Sequence, residues 1–498
     1  MNIKIDSDVN RYYVQTLAMI FFPGEHFGES EENNADAPSL YVKTERTETG
    51  IHAYAEISAE GKTRSSEYSV EFADFRSDER TLKLAVGGAV INAAGELIGY
   101  RPAWGMLIGV RPSKVASEML NAGMSKTRVK KHLNTDYLVI PKKASLATDI
   151  AVTEKRIVGD PSQRDCSVYI SIPFCPTRCT YCSFVSYTSK RLLSLIPEYL
   201  EKLKTDIKAN FDLIKKMGLR VRTVYIGGGT PTILDEIQLE SLLSYIAEQT
   251  DVSVIDEYTL EAGRPDTITA EKFAIANKYG VTRVSVNPQS LCDEVLCGIG
   301  RSHTADDFFR AYDLAKQSGI KTVNVDLIAG LPGDSFKQFS ATIDRIIALD
   351  PENITVHTFC VKKSAEILRA NSQVYSVRGG DAGKCVDYSQ IKVQQAGYIP
   401  YYMYRQKNTV GNYENVGFSK PGHEGLYNIY MMEEIHSIFA AGAGAVTKLV
   451  DNKGKYGTSG NIERLFRHKY PYEYLREDKN SMFEEATLKF YREHGLIQ

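Results

Sequence analysis

The sequence predicts an α/β protein built on a partial (β/α)6 barrel, with a β-rich N-terminal α+β domain and a C-terminal α/β extension. Three observations carry this. Between 166 and about 362, six short runs rich in β-branched residues alternate with amphipathic stretches, the pattern of parallel βα units. Polar residues or glycines gather at the C-terminal end of nearly every run, the edge where parallel α/β folds place their chemistry. The chain of 498 residues is long enough for two to four domains at about 100–200 residues each.

In chain order, 1–110 reads as the β-rich domain. Leu40-Tyr41-Val42-Lys43-Thr44, Ile51 to Ile57 and Tyr68 to Phe72 alternate polar with apolar, and acidic loops such as Glu29 to Asp36 separate them. A helical connector follows over 111–165, where Pro112-Ser113 opens a helix and Gly123 punctuates it. Lys126, Arg128, Lys130 and Lys131 read as a solvated helix face. The barrel core is placed at 166–380. Its runs are Val168 to Ile172, Thr223 to Ile226, Tyr258 to Glu261, Arg283 to Val286, Thr322 to Leu327 and Ile354 to Thr358. The region 381–498 reads as a cap or extension, rich in Tyr and Gly, with a small-residue stretch at Ala440 to Ala445.

Lys and Arg total 60 against 62 Asp and Glu, a net charge of −2 that gives no bulk electrostatic case for nucleic acid or an anionic membrane. The hydrophobic share of 43% excludes a mostly disordered or multi-span membrane chain. The early apolar run Leu17 to Pro23 is too short to span a bilayer and lacks a basic leader. Eight cysteines in this length are too sparse for a disulfide scaffold. We therefore expect a cytoplasmic protein whose thiols stay free for chemistry.

Three of those cysteines, Cys175, Cys179 and Cys182, fall at spacing C-x3-C-x2-C just after the first run. Soft thiolates favour an iron–sulfur cluster or zinc. A structural zinc wants a fourth nearby ligand, and no Cys or His lies within the twenty residues after Cys182. A cubane cluster commonly takes four cysteines, so three leave one iron open for a ligand. The second motif is Gly227-Gly228-Gly229-Thr230-Pro231-Thr232, directly after the second run. Glycines there let backbone approach a ligand closely.

These residues resemble the radical S-adenosylmethionine (SAM) superfamily, and the glycine form resembles its oxygen-independent coproporphyrinogen III oxidase group. The resemblance implies a radical SAM barrel whose cysteine loop holds a [4Fe–4S] cluster, with SAM on the open iron. It further implies that an electron passed into the sulfonium releases a 5′-deoxyadenosyl radical. By resemblance, Cys175, Cys179 and Cys182 are the metal ligands. Tyr169, Tyr181, Gly228, Gly229, Thr230, Glu261, Gln289, Arg301 and Asp326 form the cofactor pocket. The first strand, Tyr169-Ile170-Ser171-Ile172-Pro173-Phe174-Cys175, matches the group's Y-x-H-I-P-F-C except that Ser171 replaces the histidine. Gly300-Arg301-Ser302-His303 matches G-R-x-H, and Asp326 to Pro332 matches its D-L-I-x-G-L-P segment. No catalytic side chain beyond these is singled out.

Within the group, the β-rich extension, Gly109 to Lys114 and Val286-Asn287-Pro288-Gln289-Ser290 resemble the HemZ-type branch, described as coproporphyrinogen dehydrogenases. The implied reaction is oxidative decarboxylation of two propionates to vinyl groups. The implied partners are a tetrapyrrole, coproporphyrinogen III or haem, and a reduced flavodoxin- or ferredoxin-type electron donor. Phe184 stands where the oxidases proper carry a fourth cysteine. The haem chaperones' H-N-x-x-Y-W segment corresponds here to Tyr427 to Met432, without its histidine and tryptophan. A haem carrier and a haem methyltransferase that opens the ring are the alternatives. Arg264, Lys362 and Lys363 are candidate partners for substrate carboxylates, and His423 and His436 for haem. Cys292 and Cys297, at C-x4-C spacing, and Cys166, Cys360 and Cys385 read as small buried hydrophobes.

Overall fold

The computed structural model describes residues 1–23, 25, 27, 37–109, 111–182, 184–360, 380–406, 409–457 and 460–497. Glu29 to Asp36, Val110, Lys362 and Lys363 lie outside them. The chain divides into two units, Met1–Val152 with Ser372–Gly383 and Met403–Glu414, and Thr153–Asn371 with Lys384–Tyr402 and Asn415–Gln498.

In the first unit, four strands form one sheet: β1 (Asn2–Asp6), β2 (Ser39–Arg46), β3 (Gly50–Ala59) and β4 (Lys62–Glu71), in that order. β1 pairs parallel with β2, and the other pairs are antiparallel. Period-two patterning sets the buried face, with Ile51, Ala53, Ala55 and Ile57 of β3 turned in. The helix Asp78–Ile98 covers that face. It is long and apolar enough to cross a membrane by length and composition, yet it is largely buried in this packing. Gly88 shows how tightly it is seated, since a Cβ there would meet the Tyr68 ring at 2.2 Å.

The second unit carries an eleven-stranded sheet. Its centre is six parallel strands, β5 (Asp165–Ile172), β6 (Arg220–Gly228), β7 (Glu257–Glu261), β8 (Arg283–Ser285), β9 (Thr322–Ala329) and β10 (Asn353–Thr358). They coincide with the six runs of the sequence. Helices join them in the expected alternation, each started by its own chemistry. Asp235 and Gln238 form a capping box for Glu236–Gln249, and Thr304 and Asp307 do so for Ala305–Gln317. Phe308, Ala311, Tyr312 and Ala315 make the buried stripe of the latter.

The region beyond 380 extends the same sheet at both edges. β11 (Ile399–Arg405) and β12 (Glu414–Ser419) lie beside β10, with β12 antiparallel to it. On the other side β13 (Ser437–Ala441) pairs parallel with β5, followed by antiparallel β14 (Val446–Asp451) and β15 (Asn461–Phe466). The small-residue stretch belongs to this junction. A Cβ on Gly442 would meet Ser171 O at 2.6 Å and Tyr199 Oη at 2.7 Å, so only a bare backbone fits beside β5.

The alternate residues of one sheet face are polar. In register they run Tyr169–Tyr225–Thr259–Arg283 and, one step further along, Ser171–Gly227–Glu261–Ser285–Asn324. A polar face at the carboxyl ends of parallel strands is where an α/β fold offers a site.

Candidate active site

The cysteine loop leaves β5 through Pro173 and Phe174 and is tied down by backbone. Cys175 N–H donates to Tyr187 O at 3.0 Å, Cys182 N–H to Cys179 O at 3.0 Å, and Thr180 N–H to Ile299 O at 3.0 Å. Cys175 and Cys179 are buried and Cys182 is half-buried. Burial pushes the Cys175 thiol up to about 11, and it raises Cys182 as well. Thiolates form in such a place when a cation stabilises them.

The glycine turn after β6 is stitched to this loop. Gly229 N–H donates to Ile172 O and Thr230 N–H to Phe174 O, both at 2.8 Å, and Thr230 Oγ1 lies 3.3 Å from Cys175 Sγ. A Cβ on Gly229 would meet Phe174 O at 2.5 Å and Cys175 Sγ at 3.0 Å. A Cβ on Gly227 would meet Glu261 Oε2 at 2.7 Å. Gly228 has φ +113°, a conformation that side-chain residues rarely adopt. Ser171, in the histidine position of the first strand, sits below this turn. Its hydroxyl donates to Ala443 O at 3.0 Å, and a Cβ on Gly228 would meet it at 3.0 Å.

One cation and two carboxyl side chains stand at this carboxyl edge. On the loop side, Arg301 is buried, donating from Nη1 to Asn287 O at 2.7 Å and from Nη2 to Tyr181 Oη at 3.3 Å. On the other side stand Glu261 and Asp326. Burial, and then the charge of Asp326, push Glu261 up to about 8, although Gly228 N–H and the Tyr225 hydroxyl bond to it. Burial works to raise Asp326 too. Hydrogen bonds from His357, Asn324 and Thr355, with the imidazole charge, prevail and hold it below the usual carboxylate range. Asn324 Nδ2 donates to Asp326 Oδ1 at 2.8 Å, and His357 Nε2 is 3.7 Å from Oδ2. Gln289 has φ +69° and bridges to β9, its N–H donating to Asp326 O at 3.1 Å. Tyr169, Tyr225 and Tyr427 form a stacked cluster beside Glu261, the closest pair being Tyr225 and Tyr427 at 4.6 Å between ring centroids.

A model of the radical SAM superfamily matches residues 169–346. The chain is 33% identical over 509 residues, 99% of its length and 100% of the other, to the oxygen-independent coproporphyrinogen-III oxidase-like protein HemZ of Bacillus subtilis (strain 168). The chain belongs to the radical SAM family, in its HemZ branch. It is also 31% identical to the heme chaperone HemW of B. subtilis over 56% of this chain and 70% of that one. Among solved structures it is similar to the coproporphyrinogen III oxidase HemN of Escherichia coli, at 18% identity and TM-score 0.45, covering 68% of this chain and 77% of that one.

Radical SAM proteins bind a [4Fe–4S] cluster and SAM. The residues fit both groups. Gly229 lets the turn pack directly on the cysteine loop, where a Cβ would meet Phe174 O at 2.5 Å, and so sets Thr230 beside Cys175. Buried polar atoms around the pocket, Thr180 Oγ1, Gln289 Oε1 and Arg301 Nε, have no protein partner, as expected where a polar ligand completes them. Among the described residues no three Cys, His, Asp or Glu side chains converge on one metal ion. Each cysteine of a cubane binds a different iron, so cluster ligands need not converge on a point.

Several readings of single residues change. Arg264 is buried with every donor nitrogen bonded within the protein, so it is not free for a substrate carboxylate. Cys166 and Cys385 are buried, whereas Cys297 is exposed and Cys292 and Cys360 are half-buried. Cys292 Sγ accepts from Gln338 Nε2 at 3.2 Å. His436 is buried against Ser167 Oγ at 2.7 Å, and His423 bonds Thr322 at 2.9 Å. Sequence reasoning missed Tyr225, Tyr427 and His357. For Tyr225 and His357 the only sequence signal was position on a strand face, which periodicity alone does not distinguish from core; Tyr427 was marked only as the residue in the chaperone segment's histidine position.

Proposed function

We propose that this chain is a radical SAM enzyme acting on a tetrapyrrole, with coproporphyrinogen III as substrate and oxidative decarboxylation of its propionates as the reaction. The observation that carries the reading is the meeting, at one carboxyl edge, of the cysteine loop, the glycine turn, Glu261, Arg301 and Asp326. Full-length similarity to HemZ supports the tetrapyrrole class. In this reading Cys175, Cys179 and Cys182 hold the cluster. Gly228, Gly229, Thr230, Glu261, Gln289, Arg301 and Asp326 surround SAM, with Tyr169 and Tyr181 walling the pocket. The cluster, when bound, supplies the electron that cleaves SAM and so the radical chemistry. Arg301 suits the SAM carboxylate, and the Glu261 side suits its cationic groups. A reduced flavodoxin or ferredoxin is the proposed electron source, and the cytoplasm the proposed compartment.

Tyr427 bears on the haem-carrier alternative. It occupies the histidine position of the chaperone segment, and its ring is buried in the tyrosine cluster, where it presents no ligand to a surface haem. Anaerobic reconstitution followed by reductant, SAM and coproporphyrinogen III tests the proposal. The expected products are 5′-deoxyadenosine and a porphyrinogen carrying vinyl groups. Stoichiometric haem transfer without SAM consumption, or a methylated ring-opened product, would replace it. Cys175→Ala is expected to abolish both the broad visible absorbance of the cluster and turnover.

A further inference from the structure

The Arg264 side chain is 3% exposed and touches the cysteine loop at three atoms. Its Nη1 lies 3.7 Å from Cys179 Sγ and 3.4 Å from Thr177 O, and its Nη2 lies 3.0 Å from Thr177 Oγ1. The same guanidinium forks onto Asp266, Nε to Oδ1 and Nη2 to Oδ2, both at 3.0 Å. Ser302 Oγ lies 2.9 Å from Nη2 and donates to Asp266 Oδ2 at 2.7 Å. Thr177 Oγ1 in turn donates to Gly300 O at 3.2 Å. One buried cation thus fastens the cysteine loop to the end of β7 and to the loop carrying Arg301.

Two physical consequences follow. A planar fork with fixed donors adds side-chain anchors at Thr177 and Cys179 to a loop otherwise held by backbone hydrogen bonds, a role the point charge of lysine fills poorly. A cationic N–H beside a ligating sulfur also stabilises the more negative, reduced form of an iron–sulfur cluster, and hydrogen bonds to sulfur are among the levers that set its potential. Asp266 sits behind the guanidinium, bonded to its far edge, and offsets part of that charge. Burial strengthens both effects, because little water screens them.

We propose that Arg264 is a positioning residue that orders the cluster loop and raises the cluster's reduction potential, with Asp266 as its counterweight. This rests on the assignment of Cys175, Cys179 and Cys182 as the ligands. The test compares anaerobically reconstituted wild type with Arg264→Lys, Arg264→Gln and Asp266→Asn, reading iron per chain and the midpoint potential by an EPR-monitored redox titration. Arg264→Gln is expected to shift the potential negative, Arg264→Lys to fall between it and wild type, and Asp266→Asn to shift it positive. In metal-free protein, amide exchange over 176–182 is expected to quicken in both Arg264 variants. Opposite signs for Arg264→Gln and Asp266→Asn are what a purely structural role would not produce. If Arg264→Gln fails to fold, the signs for Arg264→Lys and Asp266→Asn decide. Unmoved potentials, or shifts of one sign, in fully loaded variants overturn the proposal. A wild type that takes up no iron overturns instead the ligand assignment on which it rests.

Discussion

Glu257 and Glu261 lie at opposite ends of β7, on the same face of one strand, and their surroundings differ in kind. Glu257 brings its partners with it. Arg283 Nε donates to its Oε2 at 3.1 Å, and the N–H groups of Leu426 and Tyr427 donate to the two carboxylate oxygens at 2.8 and 3.1 Å. It therefore caps the helix Leu426–Glu433 and fixes where Tyr427 stacks. Glu261 has a backbone N–H and a tyrosine hydroxyl but no cation among the described residues, and a second carboxylate stands nearby. A carboxyl that holds the fold together is neutralised by the fold. A half-buried carboxyl without a cation at the mouth of the strands is arranged for a charge that arrives from outside.

Breaking the first partner set has the largest expected effect. Glu257→Leu leaves Arg283 buried without its carboxylate and is expected to cost about 3–5 kcal/mol, read by urea unfolding. Glu261→Gln, by contrast, is expected to leave the fold intact at pH 7 and weaken SAM binding by about tenfold or more, about 1.4 kcal/mol, read by equilibrium dialysis. The pH dependence sharpens the contrast. Because Glu261 titrates near 8 when folded against an ordinary 4.5, the folded state holds the extra proton, so this group makes stability fall as pH rises between those values. Unfolding of the SAM-free protein across that window is expected to show the fall in wild type and its loss in Glu261→Gln. The smallest effect is expected from Tyr225→Phe. Removing its hydroxyl deletes a bond that lowers Glu261, and the same pH-dependent step should move upward with little change in stability at pH 7.

Much of this site was legible in the sequence because its parts are local. The six strands declared themselves as β-branched runs; Cys175, Gly228, Glu261 and Gln289 each sit at or just past the end of one, and Asp326 lies within β9, three residues before its end. What escaped was long-range. Glu257 closes on a helix 170 residues away, and nothing in the spacing announces it. Arg264, beside Glu261 in sequence, resembled a substrate partner, but pairing with Asp266 and the cysteine loop leaves it no donor to offer. The edge strands β11 to β15 join a sheet whose centre ends long before them, so patterning reads them as a separate cap. β8 has only three residues, and its neighbours in register, not its own length, make it a strand.

The most direct test of a carboxyl held for an arriving cation is calorimetric titration of SAM into the reconstituted protein at pH 7, in two buffers of different ionisation heat. SAM seated beside Glu261 is expected to draw its proton off, so that the observed heats differ between buffers in wild type and coincide in Glu261→Gln. SAM binding with equal heats in both buffers, or with the same buffer dependence in Glu261→Gln, would contradict the assignment of Glu261.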